Sequence, residues 1–168
     1  MLLGIKRRIV RIAVNRLYQG TDARYFARKA RLLRWIGHEI GEGTRIVGPV
    51  TLYGHLKIGR DCWIGADFII HGLGNVTIGD CCDFGPEVRF LTGSHKIGDS
   101  GRRAGEGISF SMVIEDGCWI GAGATFVGNV TVHKASVIGA CSLINKDIAE
   151  NTVAAGVPAR EIRNLNSQ

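Results

Sequence analysis

The chain has 168 residues, enough for one domain with a buried core, and its 45% hydrophobic and 21% charged residues are typical of a folded globular protein. No apolar run approaches the roughly 18 residues of a membrane span, and basic residues interrupt the apolar ones near the N-terminus, so neither a transmembrane helix nor a secretory signal is predicted. Five cysteines without CxxC spacing favour reduced thiols and a cytoplasmic location.

Residues 1–39 form a basic segment that we expect to be helical. Apolar residues recur there at spacings of three and four, and a break at residues 20–22 places Asp22 as the N-cap of a second helix. Ten of the 21 lysines and arginines lie in the first 34 residues. Their basic face is either a solvated surface of packed helices or a contact with an anionic membrane or polyanionic substrate. No nucleic-acid partner is expected, because no binding module is recognisable.

From Ile40 onward the chain follows a six-residue repeat. Each of fifteen hexads begins with Ile, Leu, Val or Phe, and residues 76–77 are the single short interruption before a longer one. The hexads are IGEGTR, IVGPVT, LYGHLK, IGRDCW, IGADFI, IHGLGN, IGDCCD, FGPEVR, FLTGSH, IEDGCW, IGAGAT, FVGNVT, VHKASV, IGACSL and INKDIA. So short a period predicts a repeat architecture.

The hexad composition predicts a strand followed by a tight corner. Alternation sends positions one and five to the same face, and the frequent glycine at position two is expected to supply the dihedral angles of the corner. Three strands then close an eighteen-residue triangular coil, and fifteen hexads make five coils of a parallel β-helix. One inward column at position five is predicted to contain Thr44, Cys62, Cys82, Cys118 and Ser136, with Cys81 and Cys141 pointing outward. Small core residues are therefore the preferred interpretation of the cysteines, over a catalytic or metal-binding role.

The longer interruption follows His95. Ile78 and Ile114 are 36 residues apart, which is six hexads, so the repeat resumes in phase. The intervening glycines and charged residues are typical of an exposed loop, which we place at residues 96–113.

These features carry a family resemblance. The hexads, the histidine-bearing excursion and the segment CWIGAGATFVGNVTVHKASVIGACSLINKDIAENTVAAGVPAREIR at 118–163 resemble the left-handed β-helix O-acetyltransferases, especially the branch that acetylates galactosides, maltose and surface polysaccharides. The resemblance implies an all-β repeat fold, a left-handed parallel β-helix of about five triangular coils with a short α-helical N-terminal segment. It implies a catalytic domain at 40–168 with a C-terminal cap at 150–168, and a cyclic homotrimer with sites between subunits.

The resemblance identifies His95 as the catalytic residue. A histidine can take a proton from a sugar hydroxyl at neutral pH and return it to the leaving thiol, and a backbone amide near Gly121 or Ala122 would stabilise the oxyanion. The acceptor is a small-molecule or glycan hydroxyl. Candidate acceptor contacts are His71, Arg102 and Asn75, and Asn75 is predicted to stack beneath His95 and orient it.

The resemblance also implies acetyl-coenzyme A as acyl donor. Positions that bind it in the family are occupied here by Trp119, Gly121, Ala122, Ala140, Asn145, Lys146, Arg160 and Arg163. The galactoside enzymes carry polar or acidic acceptor-binding residues where this chain has Gly65, Leu73 and Gln19, so a simple galactoside is not the expected acceptor.

Three alternatives remain open. A serine O-acetyltransferase shares the segment after residue 118, but its long helical N-terminal domain and histidine motif are absent. A zinc enzyme of the γ-carbonic-anhydrase type needs three histidines, of which only His71 and His95 are near enough, so no metal is expected. A non-catalytic β-helix scaffold explains the repeats but neither His95 nor the basic C-terminal residues.

Overall fold

The computed structural model describes residues 2–167. Helix α1 (Leu2–Ile12) continues as a π-helical segment (Ala13–Leu17) and is followed by helix α2 (Ala23–Trp35). Asp22 caps α2 as predicted, because its carboxylate accepts a 2.9 Å hydrogen bond from the amide of Arg24. The guanidinium of Arg24 also donates to this carboxylate and lowers the pKa of Asp22 to about 2. Within the described residues no helix is long and apolar enough to cross a bilayer.

The rest of the chain forms stacked coils with three strands each. In chain order the strands are β1 (Glu39–Ile40), β2 (Arg45–Ile46) and β3 (Val50–Leu52) in the first coil, β4 (His55–Ile58), β5 (Trp63–Ile64) and β6 (Phe68–His71) in the second, β7 (Asn75–Ile78), β8 (Asp83–Phe84) and β9 (Arg89–Leu91) in the third, a hairpin of β10 (Gly93–Ile97) and β11 (Ala104–Ser109), β12 (Ser111–Ile114), β13 (Trp119–Ile120) and β14 (Thr125–Val127) in the fourth coil, and β15 (Val130–Val132), β16 (Val137–Ile138) and β17 (Leu143–Ile144) in the fifth. The last strands are β18 (Thr152–Gly156) and β19 (Ala159–Asn164), and a short 3-10 helix (Leu165–Ser167) follows.

Equivalent strands of successive coils pair in parallel and form the three faces of a prism. Sheet A contains β1, β4, β7, β12 and β15, sheet B contains β2, β5, β8, β13, β16 and β18, and sheet C contains β3, β6, β9, β14 and β17. Each corner takes the names of the sheets that it joins, so the chain passes the AB, BC and CA corners in turn. The predicted parallel β-helix is thereby confirmed.

The number of coils is slightly larger than the five predicted. After the fifth coil, Ile148 bridges to Val132 and β18 pairs with β16, which makes a partial sixth coil. Strand β19 then turns back antiparallel to β18 and covers the last edge of sheet B. Hexad counting missed this coil because residues after 150 lose the regular first-position pattern.

Positions one and five of the hexads point inward as predicted. The position-five column Thr44, Cys62, Cys82, Cys118 and Ser136 is buried, and Cys81 and Cys141 are exposed. The column also carries hydrogen bonds between coils, since the amide of Cys62 donates to Oγ1 of Thr44 and the amide of Cys82 lies 3.4 Å from Sγ of Cys62. Phenylalanines stack elsewhere in the core, and the rings of Phe90 and Phe126 lie 4.5 Å apart and nearly parallel.

The structural role of the position-two glycines differs from the prediction. The left-handed backbone angles of the AB corner fall on position four, at Gly43, Asp61, Cys81, Gly117, Ala135 and Asn151. Where position two is glycine, the next coil approaches closely: a Cβ on Gly65 would lie 2.5 Å from the carbonyl carbon of Gly85. The sequence pattern revealed the constraint, but coil stacking rather than the corner dihedral angle causes it.

The excursion is displaced from its predicted boundaries of 96–113. It is the antiparallel hairpin β10–β11, which leaves the coil after Thr92 and returns at Phe110. Residues 111–113 are not part of it, because they pair in parallel with β7 as strand β12. The hexad FLTGSH extends the repeat in sequence to His95, although its last three residues already pair across the hairpin.

Candidate functional site

His95 is an exposed residue of β10, opposite Gly107 in the hairpin that projects from the CA corner. The buried side chain of Thr92 fixes the base of this hairpin. Its hydroxyl donates to the carbonyl of His71 at 3.0 Å and accepts from the amide of Gly74 at 3.2 Å. The backbone of Thr92 bonds to His71 on one side and to Phe110, where the chain returns, on the other. Thr92 was not predicted from the sequence, in which it is recognisable only as a polar residue shortly before the excursion.

His71 lies at the same corner, one coil before the hairpin. Its exposed ring stacks on Tyr53 with 5.5 Å between ring centroids, and Tyr53 belongs to the CA corner of the preceding coil. Leu73, in the same corner as His71, is 81% exposed. The structure therefore places a stacked pair, His71 on Tyr53, and the exposed Leu73 at the corner beneath the hairpin.

Asn75 does not lie beneath His95 as predicted. In sheet A it pairs with His55 on one side and Ser111 on the other, so Ser111 occupies the equivalent position in the next coil. The prediction gave His95 the same hexad position as Asn75, but the chain leaves the coil before His95. Arg102 lies in the turn at the tip of the hairpin, where its amide donates to the Asp99 side chain, whereas His95 is nearer the base.

Trp119 and Arg163 lie in one row on the outer surface of sheet B. The register aligns Trp119 with Val137, Val137 with Val153, and Val153 with Arg163, so three strand spacings of about 4.8 Å separate the row's ends. Both end residues are exposed, and the indole of Trp119 is 60% exposed. The row combines a flat apolar surface with a cation.

The BC corner next to this row is lined by small residues. A Cβ on Gly121 would lie 2.5 Å from the amide nitrogen of Ala140, which shows how closely the coils stack there. The amide of Gly121 donates to the carbonyl of Ile138, so it is not free to bind an oxyanion. Ala122, the other candidate, donates no backbone hydrogen bond within residues 2–167. Arg160 follows at the same corner of the sixth coil, opposite Ala155.

Asn145 and Lys146 are not part of this group. They follow β17 at the CA corner of the fifth coil, which is the corner that carries His95. The predicted site residues thus form two groups within the chain. One group, at the CA corner and its hairpin, contains His71, Asn75, His95, Arg102, Asn145 and Lys146; the other, on sheet B and the BC corner, contains Trp119, Gly121, Ala122, Ala140, Arg160 and Arg163.

The buried Cys62 and Cys82 have the properties of core residues. The thiols of Cys62 and Cys82 donate to the carbonyls of Gly79 and Glu115 in the following coil. Hydrogen bonding to the thiol of Cys82, followed by burial, raises the pKa of Cys62, so it is not a thiolate at neutral pH. Within residues 2–167 no group of three or more His, Cys, Asp or Glu side chains is placed to hold a metal ion.

Comparison with known proteins gives consistent results. The model of the bacterial transferase hexapeptide family (six repeats) matches residues 111–146. The galactoside O-acetyltransferase of Escherichia coli strain K12 is 35% identical over 143 residues, which are 84% of this chain and 70% of that protein. A serine acetyltransferase of Bacillus licheniformis is 31% identical over 170 residues, covering 94% of this chain and 74% of the relative.

The fold also matches a solved structure over nearly its whole length. A hexapeptide-repeat-containing acetyltransferase of Vibrio cholerae O1 biovar eltor, complexed with acetyl-coenzyme A, superimposes with a TM-score of 0.78 and 28% identity, covering 98% of this chain and 87% of that one. Fold, repeat and sequence identity therefore agree. The chain belongs to the hexapeptide-repeat O-acetyltransferases, an acyltransferase family, in the branch of the galactoside acetyltransferases.

Proposed function

We propose that this protein transfers the acetyl group of acetyl-coenzyme A to a hydroxyl of a sugar or surface-polysaccharide precursor, with His95 as general base. The single observation that carries the proposal is the position of His95. It is an exposed histidine on a hairpin that leaves an otherwise regular prism. The base of that hairpin is fixed by the buried Thr92, whose hydroxyl donates to the carbonyl of His71 and accepts from the amide of Gly74. An exposed imidazole on a hairpin with a fixed base leaves room for a substrate beside it, as general-base catalysis requires.

The reaction needs no covalent acyl-enzyme. His95 takes the proton from the acceptor hydroxyl while the hydroxyl oxygen attacks the thioester carbonyl carbon. A backbone amide stabilises the resulting oxyanion, and Ala122 is the better candidate because the amide of Gly121 is already bonded. When the carbon–sulfur bond breaks, His95 returns the proton to the thiolate, so the protein ends in its starting state.

The donor-binding residues fit acetyl-coenzyme A chemically. The exposed indole of Trp119 offers a flat contact, Gly121, Ala122 and Ala140 keep the BC corner shallow, and the guanidinium groups at Arg160 and Arg163 suit phosphate oxygens. Asn145 and Lys146 would contact the donor from a different corner.

This division of the residues supports a site between subunits. In one protomer the base and most of the donor-binding residues lie at different corners of the prism. A cyclic homotrimer in which the CA corner of one protomer meets sheet B of its neighbour would bring both groups together. The trimer therefore belongs to the proposal, as does the predicted cytoplasmic location.

The acceptor corner favours a substrate other than a simple galactoside. His71, stacked on Tyr53, is a platform suited to a sugar ring, and Arg102 at the hairpin tip can contact an anionic acceptor. The exposed Leu73 stands where galactoside enzymes carry an acidic residue, whereas Gly65 is buried at the BC corner, away from His71. The resemblance to a serine acetyltransferase keeps serine as the second candidate acceptor.

Thiol release from acetyl-coenzyme A tests the proposal. The assay compares wild type with His95→Ala and with His133→Gln, which changes a histidine at the AB corner. The acceptors are sugars, glycan fragments and L-serine. We expect turnover with a saccharide, a loss of about 10²–10⁴-fold in kcat for His95→Ala, and unchanged donor binding. The His133 variant should match wild type. Turnover with serine alone would favour the second candidate, and failure to bind the donor would leave a non-catalytic scaffold.

A further inference from the structure

Helix α1 has two apolar faces, of which the protein covers only one. Val10 and Val14, the latter in the π-helical segment, are buried against the rest of the chain. Ile5, Ile9 and Ile12 follow at spacings of four and three residues, on the opposite side of the helix, and their exposed fractions are 54%, 53% and 49%. Three isoleucines in a row on the outer surface of a helix form an apolar stripe rather than scattered exposed residues.

Basic residues accompany this stripe. Between residues 2 and 17 the chain has five basic residues and no acidic one. At 100° per residue within α1, Arg8 adjoins Ile12 on one side of the stripe and Lys6 lies on the other. Arg16 follows about one turn after Ile12, in the π-helical segment. The side chains of Arg8 and Arg16 are exposed, and Lys6 lies 5.0 Å from the ring centre of Trp35, which is itself 51% exposed.

The composition of this surface selects its partner. A solvated helix gains nothing from three exposed isoleucines, and a polyanion in water would contact only the basic residues. A second copy docked symmetrically on the same stripe would place arginines beside arginines. An anionic lipid surface provides both an apolar layer for the isoleucines and phosphate groups for the basic residues.

The attachment of α1 places the stripe at one end of the prism. Asn15, in the π-helical segment, accepts from the amide of Val50 at 2.9 Å and donates to its carbonyl at 2.7 Å. Val50 belongs to β3, the first edge strand of sheet C, so the helix covers the first coil. If the proposed trimer forms with parallel prism axes, its three α1 helices lie at the same end, and their membrane affinities combine. The stripe of one chain does not depend on that trimer.

We propose that the outer face of α1, formed by Ile5, Ile9, Ile12 and the basic residues Arg8 and Arg16, docks the protein on an anionic lipid bilayer. The helix lies in the interface with its isoleucines among the acyl chains, and the prism axis points away from the membrane. The enzyme would thereby act on acceptors presented at a lipid surface.

Co-sedimentation of the full chain with vesicles tests the proposal. The probes are vesicles of phosphatidylcholine alone and vesicles with about 30% phosphatidylglycerol, at salt concentrations of about 0.1 and about 1 M. We expect binding to the anionic vesicles and weaker binding at high salt. Ile9→Ser should lower the partition coefficient about tenfold, whereas Ile97→Ser, which removes an exposed isoleucine of the hairpin, should leave it unchanged.

Two double variants that remove the same charge test the contribution of the basic residues to lipid binding. Arg8→Gln/Arg16→Gln should lower the partition coefficient about 30-fold, and Lys57→Gln/Lys134→Gln, which removes the same charge elsewhere, should lower it much less. Failure of wild type to bind anionic vesicles overturns the proposal. Two other results would also overturn it. One is a smaller oligomer for Ile9→Ser in sedimentation velocity, which would assign the stripe to a contact between copies. The other is binding of the protein to dextran sulfate that Ile9→Ser does not change, which would assign the surface to a soluble polyanion. Thiol release in solution reports on the proposed function independently of these results.

Discussion

Lys29 shows how one buried charge connects the N-terminal helices to the β-helix. Its side chain is fully buried, and the ammonium donates to the carbonyl of Val47 at 2.7 Å and to that of Gly20 at 3.2 Å. It also lies 5.0 Å from the ring centre of Phe26. Burial lowers the pKa of Lys29 from 10.5 to about 8, because carbonyl dipoles only partly replace water around the ammonium.

This shift predicts a stability that rises with pH. Between pH 8 and 10.5, Lys29 is protonated in the unfolded chain but neutral in the folded protein, so the unfolded state binds more protons and folding becomes more favourable as pH rises. Relative to Lys29→Met, the wild type should gain on the order of 3 kcal/mol in free energy of unfolding across this range. Urea denaturation at several pH values measures the difference. A difference in free energy of unfolding between wild type and Lys29→Met that does not change with pH would contradict the prediction. Lys57→Met, which changes an exposed lysine, is the control.

At the scale of elements, the hairpin β10–β11 depends on the coil beneath it. Thr92 bonds the hairpin base to His71 and Gly74, both at the CA corner of the preceding coil. The two extra residues that interrupt the hexads, 76–77, lengthen the same corner. Leu52 and Leu56, on either side of this corner, are four positions apart, whereas their counterparts in the next coil, Ile70 and Val76, are six positions apart. Both interruptions of the repeat therefore fall at the corner that carries His95.

Thr92 is therefore a positioning residue in the proposed mechanism. Thr92→Val leaves the amide of Gly74 without its partner and should lower kcat about tenfold, with the KM for acetyl-coenzyme A unchanged. Thr92→Ser keeps the hydroxyl and should restore kcat. Thr44→Val is the matched control, because Thr44 is a buried threonine that donates to Gly59 and accepts from Cys62. Equal losses of kcat in the two valine variants would reduce Thr92 to a stabilising role.

At the scale of the whole molecule, the separation of the two residue groups predicts complementation between inactive chains. His95→Ala lacks the proposed base, and Trp119→Ala/Arg163→Ala lacks part of the proposed donor-binding surface. When the two variants assemble at random into the proposed trimer, half of the subunits carry an intact His95. Half of the subunits next to them carry an intact Trp119 and Arg163. Co-expression should therefore restore about one quarter of the wild-type activity. No recovery beyond that of each variant alone would place the complete site within one subunit.

Local and periodic features of the chain were predictable from sequence alone. The β-helix, its inward positions, the column of Cys62, Cys82 and Cys118, and the cap at Asp22 depend on neighbours one coil or one turn away, so a repeating pattern contains them. Tertiary structure decided the boundaries of the hairpin, the partial sixth coil and the reason for glycine at position two. These depend on which backbone groups meet between coils, which residue type alone does not specify.

The candidate site divides in the same way. Motif resemblance selected His95 and Trp119 because chemistry requires particular residue types in a particular segment. The corner on which each side chain lies depends on where the chain leaves and rejoins the coil. Only the structure therefore separated His95, the proposed base, from the proposed donor-binding residues on sheet B, and replaced Asn75 with Thr92 as the residue that supports the hairpin. Sequence determined the family and its chemistry; the stacking of coils determined which residues meet, because contacts at the corners are made between residues that are a full coil apart.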